Sequence, residues 1–237
     1  MYDERAKYLY GNSGLVVFRG ALLKIRWHGH SCFEVSDETQ DLTVVTDPHD
    51  GKYLGIKPPA VKADIILISH GHFDHNSAKT VAKKDSKIVD RPGSVKVREV
   101  KIRGLQVFHD SVQGQSRGEN IIFRFSLSDM EFCHLGDLGH LLDEKTARSL
   151  TPIDFLFVPV GGVFTIDATQ AWKVIRSLSP RVIIPMHYKT GGLSLAIQPI
   201  DQFLQLAGDV PIMKIGNEND FDASDIPGSM TVWEFSQ

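Results

Sequence analysis

The stretch Asp64-Ile65-Ile66-Leu67-Ile68-Ser69-His70-Gly71-His72-Phe73-Asp74-His75-Asn76 runs from an apolar segment straight into three imidazoles and a carboxylate. A short apolar run that ends in polar residues reads as a buried strand. A turn leaving such a strand can bring alternate side chains to one point, and imidazole with carboxylate is a ligand set that zinc, manganese or iron accepts. Gly71 lets the backbone bend between His70 and His72. For one isolated histidine, an inconsequential surface loop is the simpler reading. Ten histidines spread over 237 residues would seldom put three in this window beside an apolar strand. Four such side chains suffice for one closed structural site, so the cluster alone predicts a metal but not a reaction.

Further candidate ligands stand where other apolar runs end. His109 follows Leu105-Gln106-Val107-Phe108, Asp137 lies in Cys133-His134-Leu135-Gly136-Asp137-Leu138-Gly139, and His187 follows Ile183-Ile184-Pro185-Met186. The carboxyl ends of strands are where open α/β folds collect function. Around them the chain alternates short apolar runs with helical patterns, the rhythm of an α/β protein. Strands are predicted over Lys24 to Val35, Leu42 to Thr46, Ile65 to Ile68, Lys87 to Asp90, Leu105 to Phe108, Asn120 to Leu127, Glu131 to Leu135, Phe155 to Val158 and Val182 to Pro185. Helices are predicted over Ser77 to Lys84, Ala168 to Leu178 and Pro199 to Leu206. Ser128 and Asp129 separate two of the strands as a hairpin turn would, which makes the sheets mixed rather than purely parallel.

These motifs, in this order, resemble the metallo-β-lactamase superfamily. His70-Gly71-His72-Phe73-Asp74-His75 is similar to its HxHxDH signature, His109 to the histidine of its third motif, Asp137 to its bridging aspartate and His187 to its last histidine. Trp27-His28-Gly29-His30-Ser31-Cys32-Phe33, Thr46-Asp47-Pro48 and Ile184-Pro185-Met186-His187-Tyr188 resemble the branch of metal-dependent hydrolases related to ascorbate-6-phosphate lactonase. The resemblance runs from about Lys24 to about Thr190. It implies an α/β fold: a four-layer αβ/βα sandwich of two mixed β-sheets flanked by helices, with two divalent metal ions at one edge. By the same resemblance His70, His72 and His109 hold one metal, Asp74, His75 and His187 hold the other, and Asp137 bridges them. Two metals so bridged would lie ~3.5–4 Å apart and share an activated hydroxide. Zinc or manganese, and also iron, suits these ligands.

The remaining candidates are weaker signals. His28 and His30, at alternate positions of one predicted strand, would point to the same face, and His30 is a candidate to touch substrate or support a ligand. His134, three residues before Asp137, is a candidate for the same roles. Asp47 ends a strand before a proline, as a buried carboxylate fixing the metal loop or a helix cap would. His49 and His140 read as surface or loop residues. The polar run Asp110 to Asn120 reads as a loop over the site, with Arg117 a candidate for binding a substrate phosphate or carboxylate. Gly161-Gly162-Val163-Phe164-Thr165 is a second turn whose glycines serve tight packing more readily than anion binding.

Composition bounds the rest. With 42% hydrophobic, 23% charged and 9% aromatic residues, the chain is ordinary for a globular protein. We expect residues 1–22 to be an N-terminal extension and residues 23–237 a single hydrolase domain. A net charge of −3 offers no global attraction for nucleic acid, and no apolar run is long enough to span a bilayer. Cys32 and Cys133 form no CxxC pair, and the first residues lack the pattern of a signal peptide, so a reducing cytoplasm is expected. The expected partner is a small-molecule substrate; a homo-oligomer stays open. The expected reaction is hydrolysis of an ester-like bond, in a phosphodiester, cyclic phosphodiester or lactone, with Asp74 the catalytic carboxylate that orients the nucleophile or takes its proton. A non-catalytic metal-binding or regulatory protein that retains the site is the alternative, and turnover separates the two.

Overall fold

The computed structural model describes residues 7–11, 14–18 and 22–236. In chain order the first elements are β1 (Lys7–Gly11), β2 (Gly14–Phe18), β3 (Leu23–Trp27), β4 (Phe33–Asp37), β5 (Leu42–Thr46), β6 (Ala63–Leu67), α1 (Ala78–Val81), β7 (Ala82–Val89), β8 (Gly93–Val97) and β9 (Val100–Phe108). They are followed by β10 (Glu119–Leu127), β11 (Met130–His134), α2 (Glu144–Leu150), β12 (Phe155–Pro159), α3 (Ala168–Leu178), β13 (Val182–Met186), α4 (Asp201–Gln205), β14 (Ile212–Ile215), β15 (Glu218–Phe221) and β16 (Thr231–Phe235).

One sheet has the order β14-β16-β13-β12-β11-β10-β9-β8, the other β15-β3-β4-β5-β6-β7, and β1 pairs with β2 in a separate ribbon. Both large sheets are mixed. In the first, the pairs from β14 to β11 are parallel and those from β11 to β8 antiparallel. In the second, β15, β3, β4 and β5 pair antiparallel, while β5, β6 and β7 pair parallel. The expected extension falls partly on positions outside the described residues, namely 1–6, 12–13 and 19–21.

The two sheets face each other across one apolar core that takes residues from both, among them Ile25, Phe33, Val44, Ile65, Phe123, Phe132 and Phe157. Phe33 and Phe157 meet across it with ring centroids 4.6 Å apart. In β6, Ile65 and Leu67 point into this core, whereas Ala63 and Ile66, with Ile68 just beyond the strand, join Val45 and Val81 in an outer cluster. A strand covered on both sides is largely apolar, and the one polar residue of β6, Asp64, accepts the Thr43 N–H at 3.0 Å. The helix α3 buries Ala168, Ala171, Trp172, Ile175 and Leu178, the i, i+3, i+4, i+7 stripe of a helix packed on a sheet. Asp167 and Gln170 cap its start reciprocally, and Ser179 ends it in the left-handed region before Pro180.

Three expectations are corrected. The predicted strand from Lys24 to Val35 is two strands, because Gly29 (φ 92°) and His30 (φ 55°) turn the chain back and the Cys32 N–H donates to the Gly29 carbonyl at 3.0 Å. His28 and His30 therefore do not share a strand face. The predicted helix from Ser77 to Lys84 is a single turn, after which the chain becomes the edge strand β7. There Ser86 Oγ donates to the Ala63 carbonyl at 2.7 Å, and sheet pairing overrides the helical preference of the lysines. The helix α2 was missed although Asp143, which accepts from the Thr146 N–H at 2.7 Å, is a readable cap.

Candidate metal centre

Five strand ends meet at one edge of the sandwich. Asp47 follows β5, the His70 to His75 turn follows β6, His109 follows β9, Asp137 lies just beyond β11, and His187 follows β13. Two of these strands belong to one sheet and three to the other, so the site is built across the seam. At its centre, Asp137 Oδ2 lies 3.1 Å from His187 Nε2, 3.2 Å from His109 Nε2, 3.4 Å from His75 Nε2 and 3.9 Å from His70 Nε2. On one side of it the ligand atoms of His70, His72 and His109 lie within 4.8 Å of one another; on the other those of His30, Asp74, His75 and His187 do so. All seven residues expected to hold metal thus converge, and His30 joins the second group.

The donor set fits a metal on two observations. His75 Nε2, which faces the cluster, and Asp137 Oδ1 are buried without a hydrogen-bond partner among the described residues. Three carboxylates, Asp47, Asp74 and Asp137, lie within 3.4 Å of the two ring nitrogens of His75. Buried negative charge of this density calls for a cation. Burial pulls the His75 pKa down, but Asp137 and Asp74 outweigh it and hold the pKa well above the ordinary value. Burial pushes Asp137 and Asp74 up, yet neighbouring imidazoles, His187 and His75 for the one and His75 and His30 for the other, keep both carboxyls ionised. Burial, helped by the charge of His75, holds His70 down at about 3 and leaves it neutral, the form that binds metal.

The surrounding residues fix which ring nitrogen faces inward. Asp47 accepts the Ser69 N–H at 2.8 Å, the Ser69 hydroxyl at 2.7 Å and His75 Nδ1–H at 2.9 Å. Because the Ser69 hydroxyl is spent on Asp47, its oxygen accepts from His70 Nδ1, 2.9 Å away. Both imidazoles are left with Nε2 turned to the cluster. Asp137 is placed by Asn120, whose Oδ1 accepts the Asp137 N–H at 3.0 Å while its Nδ2 donates to the Leu135 carbonyl at 2.8 Å. Gly136 (φ +54°) makes that turn possible, since a Cβ there would stand 2.3 Å from Asn120 Oδ1 and 2.6 Å from Ser69 Cβ. Asp47, His30 and His187 all adopt positive φ, a conformation that side-chain-bearing residues keep where the surroundings over-determine it.

The residues expected to touch substrate are placed differently. His134 is buried behind the cluster: its Nε2–H donates to the Ser31 carbonyl at 3.0 Å and its Nδ1 accepts from the Gly136 N–H at 3.2 Å. It braces the turn before Asp137 and does not reach the cavity, which corrects the substrate-contact expectation. His30 is likewise buried, with Nε2 3.1 Å from Asp74 Oδ2, and supports that carboxylate from within the protein. Arg117 does line the cavity over the ligand atoms, with His72, Phe73, Asp74, Phe164 and Leu195, in a volume of about 210 Å³. His49 corrects another expectation: it is buried, with Nε2 3.2 Å from the His28 carbonyl. Gly161 serves packing, since a Cβ there would stand 2.1 Å from the His187 carbonyl. Asn120 and Ser69 are supports that sequence reasoning missed; a polar residue beside each ligand-bearing strand end was the available signal.

Two facing mixed sheets with a histidine and aspartate cluster at one edge are the architecture of the metallo-β-lactamase fold. Residues 24–187 match the family model of the β-lactamase superfamily domain. The chain is 31% identical over 224 residues to a UPF0173 metal-dependent hydrolase of Thermococcus onnurineus, covering 82% of this chain and 98% of that protein. It is 29% identical over 212 residues to another of Thermoplasma acidophilum, covering 79% of this chain and 92% of that one. Among solved structures, a metallo-β-lactamase superfamily protein of Thermotoga maritima superposes with a TM-score of 0.72 and 38% identity, covering 90% of this chain and 100% of that one. The chain therefore belongs to the metallo-β-lactamase superfamily and, within it, to the UPF0173 family of metal-dependent hydrolases.

Proposed function

We propose that the protein hydrolyses an ester-like bond, a phosphodiester, cyclic phosphodiester or lactone, with two divalent cations held by the edge cluster. The observation that carries this reading is the position of Asp137 Oδ2 among four imidazole nitrogens contributed by both sheets. His70, His72 and His109 are assigned to one cation, Asp74, His75 and His187 to the other, and Asp137 to both. Zinc or manganese fits these ligands, and iron is accepted by the same set. When bound, the pair supplies a water of lowered pKa and polarises the substrate oxygen.

The protein's own part is positional. His75, His70 and Asp137 are fixed from behind by Asp47, Ser69 and Asn120 respectively, so this part of the site is set before substrate arrives. Asp74 meets the cluster and, like Asp137, lines the cavity, with Oδ2 3.4 Å from His75 Nε2 and 3.1 Å from His30 Nε2. It orients the attacking water and takes its proton at a carboxylate oxygen. Phe73, Phe164 and Leu195 give the cavity apolar walls that limit competing water. No described helix is long and apolar enough to cross a membrane, and a small molecule is the partner this cavity fits.

The test is turnover. Protein reconstituted with manganese or zinc should hydrolyse bis(p-nitrophenyl) phosphate slowly, and His72→Ala should abolish it. Absence of turnover on phosphodiesters, lactones and amides with both metals bound would instead favour a metal-binding protein without catalysis.

A further inference from the structure

The cavity of about 210 Å³ over the ligand atoms is small, room for about seven waters at ~30 Å³ each. Beside it runs a larger groove of about 810 Å³, whose walls include Ser69, His70, Arg91, Gln106 and Glu119. His72 and Arg117 line both spaces and so stand where they meet. A substrate cleaved over the cluster must pass this junction if any part of it extends into the groove.

The charges at the junction are not equivalent. In the groove Arg91 lies 3.7 Å from Asp90, and Glu119 accepts from Gln106 Nε2 at 2.6 Å. Arg117 has no carboxylate within ion-pair distance among the described residues. Its guanidinium lies 4.7 Å over the Phe164 ring, and the guanidinium's one hydrogen bond among the described residues is a long contact of 3.4 Å from Nη2 to the Val163 carbonyl. Stacking on an aromatic face fixes the plane of the fork while leaving most of its donors open, the arrangement in which arginine takes two oxygens of a carboxylate or phosphate.

The loop that carries Arg117 is folded around one side chain. Asp110 Oδ1 accepts the N–H groups of Val112 and Gly114, each at 2.8 Å, and Oδ2 accepts those of Ser116 at 2.9 Å and Arg117 at 2.8 Å. The loop is closed by the His109 N–H donating to the Gly118 carbonyl at 3.0 Å, so its geometry is tied to the strand end that bears a candidate ligand.

We propose that Arg117 sets the specificity of the site by taking a terminal oxyanion, carboxylate or phosphate, of a substrate whose ester-like bond lies over the cluster against Phe73, Phe164 and Leu195, and that Asp110 is its positioning residue. The proposal rests on the hydrolase reading above and adds the substrate's second feature: an anionic group separate from the bond that breaks. A neutral ester of the same shape would leave the guanidinium without its partner.

Three 4-nitrophenyl esters with one six-carbon acyl chain test it on the metal-loaded protein: hexanoate, hydrogen adipate, and the hexanoate bearing a terminal phosphate. The anionic esters should have the higher kcat/KM, and the better of the two identifies the oxyanion. Arg117→Ala should lower the ratio of anionic to neutral kcat/KM about tenfold or more, chiefly through KM, and Arg117→Lys should keep part of it. Asp110→Ala should shift the ratio in the same direction at wild-type metal content, which separates positioning from damage to the cluster. An unchanged ratio in Arg117→Ala overturns the proposal. Titration with adipate dianion, which can place one carboxylate over the cluster and the other at Arg117, gives a readout without turnover: about tenfold weaker binding by metal-loaded Arg117→Ala supports the oxyanion site, and equal binding overturns it. Failure to cleave any ester while that binding difference persists would overturn the hydrolase reading alone.

Discussion

Asp47 Oδ2 lies 2.9 Å from His75 Nδ1 and also accepts the Ser69 hydroxyl, whose oxygen in turn faces His70 Nδ1, so one carboxylate sets the inward nitrogen of two candidate ligands. It does this from the end of β5, at a backbone φ of 43°, without itself needing to touch a metal.

Asp47→Asn is the direct test of that relationship. Asparagine tolerates the left-handed backbone, so the turn survives, but an amide cannot accept from three donors as a carboxylate does. Metal affinity should fall by about 10–100-fold, as for other groups that orient a ligand from behind. Competition against a chromophoric chelator measures it, and wild-type affinity in the variant would refute the orienting role.

Asp137 and Asp74 should separate into two behaviours. Asp137→Ala removes the oxygen at the centre of four imidazoles, so metal content and turnover should fall together. Asp74→Asn should depress turnover more than binding of the first metal, because Asp74 is grouped with His75 and His187 and stands apart from the His70, His72 and His109 set. Elemental analysis beside rate measurements decides this; two metals and full turnover in Asp137→Ala would exclude its bridging role.

Removing metal should also lower stability, because the carboxylates around His75 then repel one another within a buried space. A cation that binds only the folded chain adds about 2.7 kcal/mol at a free concentration of 100 Kd. Thermal scans of chelator-treated protein with increasing zinc or manganese should show a rising Tm, and a Tm indifferent to metal would contradict cation binding at this cluster.

The site was more legible in the sequence than the elements around it. Ligands such as His109 and His187 sit directly beyond apolar strands, so residue type and strand end signal them together. The supports were harder, since Asn120 and Ser69 gain meaning only from groups distant in sequence, such as the Asp137 N–H and Asp47. The short strands β14 and β15 escaped because their side chains are mostly exposed and show no period of burial. His30 misled because a left-handed residue after a glycine reverses the chain inside what reads as one strand.

The last prediction concerns the opposite edge of the sandwich, where Asp37 ties the two sheets together. Its Oδ1 accepts the Thr39 N–H at 2.8 Å, the Thr39 hydroxyl at 2.6 Å and the Gln40 N–H at 3.2 Å, while Oδ2 accepts Gln40 Nε2 at 2.8 Å and the Ser128 hydroxyl. Ser128 belongs to the turn between β10 and β11 in the other sheet, so this carboxylate joins one sheet's turn to the other's. Burial pushes the Asp37 pKa up, but the hydroxyls of Ser128 and Thr39 with the backbone N–H groups outweigh it and hold the pKa below its ordinary 3.8. A carboxyl depressed in the folded state stabilises above its unfolded pKa, and that contribution is lost as pH falls through the folded value. Asp37→Ala should therefore destabilise by about 1.5–3 kcal/mol at pH 7, the range for losing hydrogen bonds to a charged group. The gap between wild type and variant should narrow as pH drops below 3.8. Urea unfolding of both proteins in neutral and acidic buffer reads the gap directly, and one that stays constant or widens in acid would show that the charge of Asp37 does not join the sheets.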